Sequence, residues 1–170
     1  MLIWIALAGL ILIAAAAYSA GRRKVLAAVG GQTRALHSLP GYYGAFLALW
    51  VAAPAAILLL LALALGGRVE EAALRAETPA AVAALPASSQ DVFYNDVLGA
   101  VRGGQVSDTV YEGELGDAFA QKTAQAQRLD LMVWAGALSG AAALALIGGA
   151  VGWRRLDGRF AARPQVERWV

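Results

Sequence analysis

Twenty-one successive residues, from Ala45 to Leu65, read AFLALWVAAPAAILLLLALAL and include no charged side chain. A helix of about 20 apolar residues is long enough to cross about 30 Å of hydrocarbon. An open strand of this composition would leave its peptide groups unpaired in lipid. The run, extended to residues 43–66, therefore predicts a transmembrane helix.

Two more runs, residues 1–21 and 131–153, have the same character, because neither contains Asp, Glu, Lys, Arg or His. The 170-residue chain is 59% hydrophobic and 15% charged, whereas soluble domains are about 45–50% apolar and about 25% charged. A chain of this length is too short to bury three such helices in a soluble core. The sequence therefore predicts an all-α membrane protein with three transmembrane helices and a small helical extracytoplasmic segment between the second and the third.

The charged residues outside the spans predict how the chain is oriented. The loop 22–42 has a net charge of +4, the segment 67–130 of −5 and the linker 154–170 of +3. Because Lys and Arg concentrate in short cytoplasmic loops, we expect the loop and the linker inside and residues 67–130 outside. The basic residues follow the first apolar run instead of preceding it, so we expect a retained helix and not a cleaved signal peptide. Tryptophans near the span ends are typical of an interfacial belt, with Trp50 deeper: Trp4, Trp50, Trp134 and Trp153.

Two features of the spans concern helix packing. Pro54 interrupts the second span and predicts either a tolerated bend or a hinge. Glycines in the third span fall at multiples of four and favour close approach of another helix, either the second span or another subunit. These glycines are Gly136, Gly140, Gly148 and Gly152.

The acidic segment 67–130 predicts three helices. The first continues the second span over residues 68–77 and ends before Pro79. The next begins near Ser88–Ser89, covers residues 91–102 and stops at Gly103–Gly104. The last covers residues 114–130 and runs without a break into the third span. Because the segment is small and rich in alanine, we expect little core of its own and packing against the membrane helices or a neighbour.

No motif in the chain indicates chemistry. The chain has no cysteine, and its single histidine, His37, is interpreted as a loop residue at the membrane surface, with a ligand or pH switch as the alternative. The paired acids Glu70–Glu71 and Glu112-x-Glu114 are interpreted as solvated helix faces, with general acid–base catalysis as the alternative. The spacing Asp108…Glu112…Glu114…Asp117 leaves a calcium site as an alternative, although it lacks the Asp-x-Asp-x-Asp-Gly loop pattern. The sequence thus predicts no catalytic, cofactor-binding or metal-binding residue, no cofactor and no enzyme.

The net charge of only +2 indicates no nucleic-acid partner, although the basic inner loop leaves binding to anionic lipid open beside simple topological retention. Neither Gly30–Gly31 nor Gly103–Gly104 has the Gly-Lys-Ser/Thr ending of a phosphate-binding loop.

The most specific string is RALHSLPGYYG at residues 34–44, followed by Ala48-Leu49-Trp50 and Pro54. It resembles the N-terminal extension of the PstC family, the permease subunits of phosphate-specific ABC transporters, in its alphaproteobacterial-type long form. The resemblance covers the whole chain in outline: helix, basic loop, helix, variable outer segment, helix and basic linker. It implies a bacterial inner-membrane location, with residues 67–130 in the periplasm.

The resemblance also implies partners: a second permease subunit, an ATPase dimer and a periplasmic phosphate-binding protein, with transport carried out by a permease core that follows. Residues 163–170 look like the approach to another span, so we expect the chain to be part of a longer protein. No transport residue is carried over. The alternative is a self-contained three-span membrane protein, acting as a sensor or assembly factor through its acidic outer segment.

Overall fold

A computed structural model of the chain describes residues 2–33, 36–156 and 162–168, which contain six helices and no strand. Three of these helices are long and apolar enough to cross a membrane, which confirms the predicted all-α class with three spans. Arg34, Trp169 and Val170, which contributed to the predictions above, lie outside the described residues. The helices are α1 (Leu2–Ala28), α2 (Pro40–Ala76), α3 (Ala80–Ala83), α4 (Ala87–Arg102), α5 (Gly113–Arg155) and α6 (Ala162–Glu167).

The long helices extend beyond the apolar runs from which they were predicted. Helix α1 continues to Ala28, so the first seven residues of the predicted basic loop, 22–28, are helical. The helix is followed by Gly30 and Gly31, whose φ angles of 59° and 80° are easily adopted only by glycine. Helices α2 and α5 continue through residues 68–76 and 114–130, as the sequence predicted.

The chain divides into two compact units. The terminal unit comprises residues 1–60 and 137–170, and the central unit comprises residues 61–136. Two buried clusters hold the terminal unit together. One joins α1, α2 and α6 around Val25, Tyr43 and Val166, and the other joins α2 and α5 around Val51 and Ala145.

The central unit has a core of its own, so the expectation of a segment with little core is wrong. Aromatic side chains make this core possible in an alanine-rich segment, because one Phe or Tyr buries far more surface than an alanine. The Phe93 ring packs edge-on against Tyr94, Tyr111 and Phe119, with ring centroids 5.5, 5.3 and 5.9 Å away. The buried members of the core are Leu74, Val82, Phe93, Tyr94, Val97, Leu98, Ala118 and Ala126.

Helix α4 confirms one predicted boundary and corrects the other. Gly103 ends it in the left-handed conformation, with φ 69°, and the Gly104 N–H donates to the Gly99 carbonyl. At the other end the helix begins at Ala87 behind Pro86, without a side-chain cap, so the predicted start at Ser88–Ser89 is wrong. The φ of −54° at Pro86 already suits helix entry.

Candidate functional site

The glycine face of α5 packs against α2, as one of the two predicted alternatives had it. A Cβ placed on Gly140 would stand 2.9 Å from the Leu58 side chain, and one on Gly152 would stand 2.9 Å from Leu47. A Cβ on Gly148 would overlap the carbonyl oxygen of Trp50, whereas one on Gly136 would meet nothing within 4 Å. The close approach is therefore made by three of the four predicted glycines.

Pro54 explains why the contact at Gly148 involves a carbonyl oxygen. In an unbroken helix the amide of residue 54 would donate to the carbonyl of residue 50, but proline has no N–H. Trp50 therefore has a carbonyl oxygen without its usual helical donor, while α2 continues through Pro54. Since a Cβ on Gly148 would overlap that oxygen, a Cα–H of Gly148 points towards it, a recurring weak contact between close helices.

Aromatic and cationic side chains meet at one end of the terminal unit. The Lys24 Nζ donates to the Trp153 carbonyl and lies 4.4 Å from the centroid of the Trp153 ring. The Arg155 guanidinium lies 5.2 Å from the centroid of the Trp50 ring. These contacts occupy two of the basic residues that the sequence assigned to the inner side.

The terminal unit also has two surface grooves. An apolar groove of about 160 Å³ is lined by α2 residues from Phe46 to Ile57 and by Gln165. A second groove, of about 310 Å³, lies along α1 and is lined by Tyr18, Ser19, Arg22, Arg23 and Leu26.

The carboxylate of Asp96 is a buried polar group of the central unit, since the residue is only 3% exposed. It accepts hydrogen bonds from the Ser107 N–H at 2.7 Å, from the Ser107 hydroxyl and from the Tyr111 hydroxyl at 2.7 Å. These bonds attach residues 103–112, which connect α4 and α5, to the side of α4.

The protonation equilibria of this cluster reflect its geometry. Burial acts to raise the pKa of Asp96, but the hydrogen bonds from Ser107 and Tyr111 outweigh it and hold the pKa below 3.8. Burial raises the pKa of Tyr111 to about 12, and its hydrogen bond to the Asp96 carboxylate acts in the same direction. Both shifts favour a carboxylate beside a neutral phenol across the neutral pH range.

Two further charged side chains are buried in the central unit. Glu70, 3% exposed, forms an ion pair with Arg102, so its interpretation as part of a solvated face is wrong; Glu71 instead pairs with Arg75 at 3.0 Å. Lys122 donates to the Leu74 carbonyl near the end of α2, at 2.9 Å. Neither Lys122 nor Asp96 was predicted from the sequence to have such a role.

The acids considered as a calcium set do not come together. Among the residues that the structure describes, no three His, Cys, Asp or Glu side chains form a group that could hold a metal ion. His37 is exposed, and Gly103–Gly104 forms the end of α4.

Three long apolar helices, two of them in contact through a glycine face, define a multi-pass membrane protein. A family model described as phosphate ATP-binding cassette transporter matches residues 7–169, and the chain belongs to this family. No curated protein and no solved structure matches the chain.

Proposed function

We propose that this chain is the N-terminal membrane domain of an ABC-type phosphate import permease of the PstC type. Its role is structural: it packs against and helps to assemble the permease, whereas a following permease core and a partner ATPase carry out transport. The observation that carries the proposal is the family match over residues 7–169, which covers all three spans and the segment between them. The string at residues 34–54 supports the assignment to the permease subunit.

The proposed location is the bacterial inner membrane, with residues 67–130 in the periplasm. The net charges of the loop 22–42 and the linker 154–170, both positive, support this orientation. The proposed partners are the lipid bilayer, a second permease subunit, an ATPase dimer and a periplasmic phosphate-binding protein. No nucleic acid is among them.

A packing role, with no catalysis by this chain, agrees with the residues at membrane depth. The spans 43–66 and 131–153 contain no Asp, Glu, Lys, Arg or His, the residues that would mark an ion or substrate path. Their most specific feature is the glycine face, which brings α5 against α2 at Gly148 and Gly152. The domain therefore contributes a helix assembly on which other subunits can pack.

Two matched glycine substitutions test this role. Gly148→Ala places a methyl group against the Trp50 carbonyl, whereas Gly136→Ala places one in open space on the same helix. Overpacking of this kind costs about 1–3 kcal/mol. Each variant is made in the chromosomal gene, and both the uptake of radiolabelled phosphate and the amount of assembled transporter are measured.

We expect Gly148→Ala to lower the maximal uptake rate in proportion to the assembled transporter, with an unchanged KM for phosphate. Gly136→Ala should resemble the wild type. A changed KM would contradict a purely structural role, and unchanged uptake despite loss of the folded domain would contradict the permease assignment. If only the cellular response to phosphate starvation changed, the alternative of a separate sensor would replace the proposal.

A further inference from the structure

The groove on α1 contains two arginines whose charge is not neutralised within the described part of the chain. Arg22 and Arg23 are exposed and make no ion pair with any described acid. Three other basic residues of the terminal unit make contacts within it: Lys24 with Trp153, Arg155 with Trp50, and Arg163 with Glu167 at 2.7 Å. The groove therefore carries two adjacent positive charges, Arg22 and Arg23, that lack an ion-pair partner among the described residues and lie immediately after an apolar run.

We propose that this groove binds the phosphate group of an anionic membrane phospholipid. A guanidinium group is planar and donates two parallel hydrogen bonds to phosphate oxygens, so adjacent arginines can hold one phosphodiester from two directions. Tyr18 forms a fixed wall of the groove, because its ring packs on α2: a Cβ on Gly44 would stand 2.8 Å from the Tyr18 Cδ2.

The surface next to the groove favours a lipid over free phosphate. Ile11 and Leu12 lie on α1 two to three helical turns before the arginines and are 68% and 70% exposed. At 1.5 Å per residue, Ile11 lies about 16 Å along the axis from Arg22, close to the thickness of one hydrocarbon leaflet. An acyl chain can therefore lie along the exposed apolar residues while its phosphate contacts the arginines.

The test compares lipid retention by variants of the full chain, purified in detergent so that membrane orientation does not enter. Phosphatidylglycerol and phosphatidylcholine with identical acyl chains are titrated, and bound lipid is counted by native mass spectrometry. Basic residues near an anionic surface contribute about 1 kcal/mol each, so Arg22→Gln with Arg23→Gln should weaken phosphatidylglycerol binding about 30-fold. Phosphatidylcholine should bind weakly to both forms.

Two further variants separate a specific site from net charge. Arg154→Gln with Arg168→Gln removes the same charge from exposed positions of the terminal unit outside the groove and should leave binding unchanged. Arg22→Lys with Arg23→Lys keeps the charge but loses the planar donors, so binding should fall to an intermediate value.

The proposal is overturned if the two glutamine pairs weaken binding equally, if the lysine pair binds as the wild type does, or if phosphatidylcholine binds as tightly as phosphatidylglycerol. Displacement of the lipid by millimolar inorganic phosphate would also overturn it, because the site would then recognise free phosphate.

Discussion

Substituting Asp96 with asparagine should release the connection between α4 and α5. Asp96→Asn keeps the shape of the side chain but removes the charge that three hydrogen bonds share. Hydrogen bonds to a charged group contribute about 1 kcal/mol more than neutral ones, so the loss is about 3 kcal/mol for three bonds. That corresponds to an increase of about 150-fold in the population of the open connection.

The Ser107 amide reports this opening directly, because it donates to Asp96 Oδ1. Hydrogen exchange of the full chain in detergent at neutral pH, followed by mass spectrometry, should show a loss of protection at Ser107 of about two orders of magnitude. Asp91→Asn is the matched control, since Asp91 lies on the same helix but pairs with Arg75. Protection at Ser107 should not change in that variant.

The stabilisation contributed by the Asp96 carboxylate should be lost only at acidic pH. Because the pKa of Asp96 is lowered in the folded protein, its stabilisation is fully present above the unfolded value of about 3.8 and is lost as the pH falls through the lower folded value. Protection at Ser107, corrected for intrinsic exchange, should therefore be constant between pH 7 and pH 5. Unchanged protection in Asp96→Asn, or an equal loss in Asp91→Asn, would contradict the role of the Asp96 carboxylate in holding the connection between α4 and α5.

Three further predictions concern the central unit and the orientation of the chain. The pKa of Tyr111 in the folded protein is about 12, above its usual value of 10.0. The contribution of Tyr111 to the stability of the fold is therefore complete below pH 10 and is lost as the pH rises towards 12. In an alkaline absorbance titration, the difference between the wild type and Tyr111→Phe should show one phenol ionising near pH 12 and none near pH 10. Arg102→Gln leaves the buried Glu70 carboxylate unpaired and should destabilise the protein by about 3 kcal/mol in thermal unfolding. Adding Glu70→Gln to that variant should restore most of the lost stability. If stability were not restored, the loss would not come from the unpaired carboxylate. Replacing the four basic residues of the loop 22–42 by glutamine should invert or scatter topology reporters fused near Asp91, and unchanged reporters would argue against the orientation proposed here.

The spans were predictable from the sequence because the information is local. Twenty uncharged residues in a row have one stable form in lipid, whatever surrounds them. The continuity of α5 was equally local, since no proline occurs between Gly113 and Arg155 to end the helix. The partner of the glycine face was open at that stage, because glycine spacing indicates close approach but not which helix approaches.

The interior of the central unit was less predictable because it depends on contacts between distant residues. Asp96 finds its donors 11 and 15 residues away in a stretch without regular structure, and Glu70 finds Arg102 across 32 residues. No periodicity encodes such pairs. One available signal was the set of aromatic residues in an alanine-rich segment, Phe93, Tyr94, Tyr111 and Phe119, which form the core that the composition did not suggest.

The Trp50 carbonyl couples two positions that lie 94 residues apart in the chain, Pro54 and Gly148. A residue at 54 with an amide proton would give that oxygen a helical donor, but a Cβ at position 148 would still stand 2.9 Å from the Trp50 carbonyl carbon. The two positions should therefore differ in what they tolerate: residues other than proline can occupy position 54, whereas position 148 stays restricted to glycine as long as the two helices keep this separation.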